Sequence, residues 1–211
     1  MKALPTNLQR FVSKWACEFL ATGKNMVRWK LRHDGYCPFC TAETENTKHI
    51  LSCHHLDALL GWNEALDKFI QQLLKIDTCQ IIILALKNEL NAWRYDRPPD
   101  TLLYPDLITQ AICNQKEIGW KSFLEGVTSS KWEEYMNRYY RRKKSKRKAT
   151  TWASKLVTYC IKFLYKLWEN RNQQLHNTAR IQDMEGVPIL QSSIRLEWQN
   201  GLGRLPASEY S

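Results

Sequence analysis

The sequence predicts an all-α fold, an irregular multi-helix domain with one long helix near its C-terminal end. Apolar residues recur every three or four positions through most of the chain, the spacing that puts them on one helix face. Gly (8) and Pro (7) are scarce among 211 residues, which argues against a turn-rich sandwich. Neither βαβ alternation nor an internal repeat is visible.

Pro5 to about Arg32 reads as one or two amphipathic helices. Leu8, Phe11, Val12, Trp15, Phe19 and Leu20 keep the period until Gly23 interrupts it, and Met26–Leu31 resumes it. His33–Tyr36 is a turn. Thr47 through Leu60 is expected as one helix, with His49, Ile50, Cys53, Leu56 and Leu59 on one side. Two more helices follow, from Trp62 to Lys75 and from Cys79 to Trp93. Arg97-Pro-Pro-Asp100 and Tyr104-Pro105 make 94–106 a loop. Leu107–Cys113, Ile118–Gly126 and Ser129–Arg142 continue as helices. The long helix spans about Thr151 to Asn177 on the stripe Trp152, Leu156, Cys160, Phe163 and Leu167. Pro188, Gly201, Gly203 and Pro206 predict a weakly ordered tail over 181–211, apart from a short helix at Leu190–Trp198.

Composition narrows the class further. The longest apolar run, Ile81–Leu86, is too short to span a bilayer, and the opening residues do not resemble a signal peptide. A soluble, intracellular protein without a membrane partner is the expectation. Of seven cysteines, only Cys37, Cys40 and Cys53 lie close together. Cys17, Cys79, Cys113 and Cys160 sit among apolar residues and read as small buried hydrophobes in a reducing compartment.

The close cysteines belong to the pattern Cys37-x2-Cys40-x8-His49-x3-Cys53. A tight turn lets the first two aim sulfur at one cation, and a helical turn does the same for His49 and Cys53. Three thiolates and an imidazole form the tetrahedral set of a closed structural Zn2+ site. His54 and His55 follow directly and offer alternative imidazoles. The expected role of such a knuckle is to pin a basic helix over 24–32 (Lys24, Arg28, Lys30, Arg32) against the helix starting near Thr47.

The formal charge of +10 is concentrated. Residues 131–180 hold 14 Lys/Arg against 3 Asp/Glu. Arg138, Arg141, Arg142, Lys143, Lys144, Lys146, Arg147 and Lys148 fall within eleven residues, with Tyr139 and Tyr140 between them. Lys155, Lys162 and Lys166 extend the charge along the long helix. Cations neutralise phosphates and exposed aromatics stack on unpaired bases, so these residues are the candidate contacts to RNA or single-stranded DNA. A Lys/Arg tract of this kind also reads as a nuclear-import signal, giving a nuclear protein.

Cys37-Pro-Phe-Cys40, Glu43-Thr-Glu45 and His49-Ile-Leu-Ser-Cys53, approached by Trp29–Tyr36, resemble the CCHC zinc-binding domain at the C-terminal end of LINE-like (non-LTR) retrotransposon reverse transcriptases. Trp168-Glu-Asn-Arg-Asn172, then Leu175-His176, resembles a segment near the end of the same reading frames. The stronger match covers about 30 residues. It implies a template- or target-binding module that accompanies a polymerase domain. The chain itself carries no Tyr-x-Asp-Asp-like pair and no endonuclease or RNase H carboxylate set, so it is expected not to be an enzyme. The organisation expected is 1–60, helical with the knuckle; 61–180, helical with the basic segment 138–148; and the tail 181–211. The competing expectation is a helical protein-interaction scaffold whose zinc site is purely architectural.

Overall fold

Periodic apolar residues become helices throughout the computed structural model, which describes residues 4–98 and 104–200, the stretch 178–200 as backbone only. Among the described residues there are nine helices and no strand, only an isolated bridge between Tyr36 and Thr44.

α1 (Thr6–Ala16) buries Leu8, Phe11 and Trp15, one per turn. Phe19 departs from the expected stripe: it lies past the helix end, half exposed, against Trp29 at 4.9 Å between ring centroids. α2 (Gly23–Arg28) begins at the glycine expected to break the pattern, with Thr22 capping the amide of Asn25. A Cβ at Gly23 would lie 2.2 Å from the carbonyl oxygen of Gly35, so only glycine fits this backbone crossing. The basic helix is shorter than expected. It stops at Arg28, and Lys30 takes a left-handed φ of 60° as the amides of Lys30 and Leu31 close on Val27 and Met26. Lys30 and Arg32 therefore lie beyond it.

The helix expected over Thr47–Leu60 is broken in two. α3 (Thr47–Ser52) is capped by Asn46, whose side chain accepts from the His49 amide at 2.8 Å. Cys53 leaves helical dihedrals (ψ 126°), and α4 (Leu56–Lys75) restarts under His55, whose Nδ1 accepts from the Asp57 amide. α5 (Gln80–Arg94) precedes the loop containing the prolines, of which 99–103 lie outside the described residues. α6 (Asp106–Ile118) and α7 (Trp120–Leu124) are divided by Gly119 at φ 97°, a conformation open to glycine. α8 (Ser130–Arg142) is capped by Ser129. α9 runs Ala149–Asn200, so the backbone is helical past Pro188 where a weakly ordered tail was expected. Residues 201–211 lie outside the described residues.

The chain divides into two compact units, Met1–Arg171 and Asn172–Ser211. In the first, Phe11, Trp15, Leu20 and Leu51 share one buried cluster with Trp62, Phe69 and Leu73 of α4, Leu86 and Leu90 of α5, Ile108, Trp132, Met136, and Leu156 and Phe163 of α9. Phe11, Trp15, Leu20 and Leu51 thus pack into the core of the later helices, while Cys37, Cys53 and Ala58 form a second, small buried cluster. Phe163 meets Trp62 edge-on at 4.8 Å and Phe69 at 6.0 Å, the tilted geometry that ring quadrupoles favour. Of the four cysteines expected inside, Cys160 is buried and Cys79 half-buried, while Cys17 and Cys113 are exposed. No helix among the described residues is long and apolar enough to cross a membrane.

Candidate metal centre

Cys37, Cys40, His49 and Cys53 converge, their ligand atoms all within 4.8 Å of one another. Two local devices bring them together. The Cys37–Cys40 turn is closed by the Thr41 amide on the Cys37 carbonyl (2.9 Å) and by the Cys37 amide on the Glu43 carbonyl (2.9 Å). On the other side, Cys53 ends α3 while its amide still donates to the His49 carbonyl at 2.8 Å, which keeps the two one turn apart.

Two of the separations match a tetrahedral cation. Bonds of about 2.3 Å to sulfur and about 2.05 Å to nitrogen imply edges of about 3.8 Å between sulfurs and about 3.5 Å between sulfur and nitrogen. Cys37 Sγ to Cys53 Sγ is 3.9 Å, and Cys40 Sγ to His49 Nε2 is 3.4 Å. Glu43 Oε2 lies 3.2 Å from His49 Nδ1, while Nε2 is the ring atom that faces Cys40. His54 is exposed, and His55 stacks on Phe39 at 6.3 Å; the cluster takes its imidazole from His49.

Two of the three thiols are held against ionisation. Burial pushes the Cys37 thiol up to about 12, helped by the neighbouring sulfurs and resisted by backbone hydrogen bonds, and burial also raises Cys53. At Cys40 burial acts upward too but is outweighed by backbone amides at Ala42 and Glu43 and by the other two thiols, so its thiol is lowered. A divalent cation removes this conflict by supplying the charge that three thiolates need.

Three charged residues around the cluster were not among the candidate site residues of the sequence, although Glu45 and Arg171 fall inside its two motifs. Glu45 and Arg171, 126 positions apart, form a fully buried ion pair. Arg171 Nε donates to Glu45 Oε1 at 2.6 Å and Nη2 donates to Oε2. Glu45 Oε2 also accepts from the Gly23 amide at 2.7 Å, while the Glu45 backbone joins Gly35 and Lys24. One carboxylate therefore ties knuckle, α2 and α9 together. Arg94, also buried, donates from Nη2 to the Cys53 carbonyl at 2.7 Å and lies over Trp62 at 4.9 Å. Burial lowers its pKa, opposed by the charges of Tyr95 and Cys53. The side-chain signal was present only for Arg171 and Glu45, inside the two motifs; their pairing has no signature in one sequence.

The basic residues separate by environment. Lys24, Arg28 and Lys30 are exposed, whereas Arg32 pairs with Asp34 at 2.7 Å. Arg138 pairs with Glu134, Lys143 with Asp77 at 3.1 Å, and Arg147 approaches Asp77 at 4.0 Å. Arg141, Arg142, Lys144, Lys146 and Lys148 are exposed and form no ion pair among the described residues. Tyr140, read as a stacking aromatic, is buried and donates its hydroxyl to the Ile76 carbonyl at 3.1 Å. Its spacing of four residues from Met136 and eight from Trp132 puts it on the core face of α8. Tyr139 is half-buried beneath Lys143, whose Nζ lies 4.9 Å from the ring centre. Lys155 and Lys162 are exposed on α9 and Lys166 is half-buried. No protein-family model, curated protein or solved structure matches this chain.

Proposed function

We propose that the chain is a zinc-stabilised nucleic-acid-binding module, of the kind that ends LINE-like reverse transcriptases, without polymerase activity of its own. The observation that carries the reading is the four-donor cluster at the spacing of that resemblance. Three soft thiolates and one imidazole at tetrahedral separations favour zinc over oxygen-seeking cations. Four protein donors complete the coordination and leave no place for an activated water, so the metal's role is to hold the knuckle. The ion pair between Glu45 and Arg171 adds support, because it joins the two separate segments on which the resemblance rests.

The cationic tract supports the second half of the reading. Arg141, Arg142, Lys144, Lys146 and Lys148 are exposed, as a phosphate-binding surface requires. The natural partners are RNA or single-stranded DNA and a polymerase domain, in a nucleus. In gel retardation with single-stranded RNA and DNA, binding should weaken steeply between about 50 and 200 mM salt. Neutralising Arg141, Arg142, Lys144 and Lys146 together should weaken it at least tenfold. Normal binding by that variant, or no binding by the wild type, would overturn the reading.

A second reading, a helical interaction scaffold, draws on exposed Phe19, Leu31 and Val27 beside Trp29. Salt-insensitive capture of a protein partner, with no nucleic-acid affinity at low salt, would favour it.

A further inference from the structure

α4 and α9 pack antiparallel. Asn170 donates to the Gly61 carbonyl at 3.4 Å at one end, Phe163 meets Phe69 midway, and Trp152 shares a pocket with Ile76 at the other end. Two open pockets lie along this seam. One, of about 250 Å³, is bordered by Lys68 and Gln72 of α4 and by Tyr159, Lys162, Lys166 and Glu169 of α9. The next, of about 310 Å³, is bordered by Lys146, Arg147, Lys148 and Lys155, with Tyr140 and Trp152 among its apolar residues.

The lining is unusually one-signed. Seven cations border the two pockets against one carboxylate, Glu169. Only Arg147 among the seven approaches an acidic group in an ion pair among the described residues, reaching Asp77 at 4.0 Å. Lysines set above low-dielectric aromatic walls focus a positive field along the groove. Lys155, Tyr159, Lys162 and Lys166 follow one another at helical spacing, so cations alternate with an aromatic along one edge. Lys162 Nζ lies 5.8 Å from the Tyr159 ring centre, and the ring is half-buried, which limits its freedom before any ligand arrives.

We propose that this α4–α9 groove is the track for a single-stranded nucleic-acid backbone, with Lys68, Lys155, Lys162 and Lys166 taking phosphates and Tyr159 stacking on a base. The inference rests on the nucleic-acid reading above and deepens it by naming the path. Lys68 and Gln72 come from a helix that has no basic tract, so the charge run at 138–148 does not account for them. A seam between two packed helices suits a flexible strand, whose bases are free to turn toward an aromatic side chain; paired bases in a duplex are not.

The test is fluorescence anisotropy on the full chain with a labelled 12-nucleotide RNA, the same sequence as DNA, and its duplex. K68Q/K162Q/K166Q should weaken both single strands about tenfold or more and reduce the slope of log affinity against log salt by about 2. K14Q/K48Q/K87Q removes the same charge from exposed positions elsewhere and should change affinity less than threefold. Y159L, which keeps an apolar side chain, should cost about fivefold on the single strands and leave inorganic polyphosphate binding unchanged. K68R/K162R/K166R, matched by circular dichroism, should retain binding. Equal losses in the two lysine triples, or a duplex bound as tightly as the single strands, would overturn the groove while leaving the nucleic-acid reading standing. A wild-type chain that binds none of the three overturns that reading itself.

Discussion

Glu45 and Arg171 are both shut off from solvent in the interior and joined by a two-pronged ion pair. Neutralising one member of a buried ion pair costs about 3–5 kcal/mol. Glu45→Gln should therefore lower stability by that order in urea denaturation; a loss below about 1 kcal/mol would contradict the bridging role. The metal-binding sulfurs carry a second expectation. Because burial holds Cys37 and Cys53 protonated, a cation must displace protons to bind, and protons compete more strongly as pH falls. Metal affinity should weaken from about pH 8 to about pH 6 and uptake should acidify a weakly buffered solution. Uptake without proton release would show that the thiols are already ionised.

At the scale of the element, legibility followed what a single stretch of chain can encode. The apolar stripes of α1, α4, α5, α8 and α9 are local, and the periodicity placed the bodies of these helices, though not the start of α4 at Leu56 or the C-terminal ends of α1 and α9. The break at Cys53–His55 left no trace in the pattern, because Ile50 and Leu51 continue smoothly into Leu56 and Leu59. It arises from capping at Asn46 and His55 and from the metal cluster, which are conformational rather than periodic signals. The four members of the Cys/His cluster were readable from their spacing; the role of Arg94 was not, since its partner is a carbonyl 41 residues away. Tyr140 shows the limit on basic tracts, where a run of cations conceals a residue that the helix turns inward. Tyr140→Phe should cost about 1 kcal/mol in urea denaturation through the lost bond to Ile76. Gly23→Ala should destabilise by about 1–3 kcal/mol in thermal denaturation, because a Cβ meets the Gly35 backbone. A neutral result there would mean that the crossing of 23 and 35 is looser than its geometry.

For the whole molecule, the knuckle is joined to the main core instead of standing apart from it. Glu45 reaches α9, Arg94 reaches Cys53, and Leu51 of α3 lies in the same buried cluster as Trp62 and Phe163. Metal removal should consequently loosen more than residues 37–53. On the proposed reading a cation would fix the turn that carries Glu45, and Glu45 ties that turn to Arg171 of α9.

The most direct measurement is the metal content of the purified chain by elemental mass spectrometry, for wild type and Cys37→Ser. The account predicts about one equivalent of zinc in the wild type and a large loss in the variant, consistent with a four-ligand site. A folded wild-type chain carrying no stoichiometric metal, even after zinc is supplied during refolding, would contradict it.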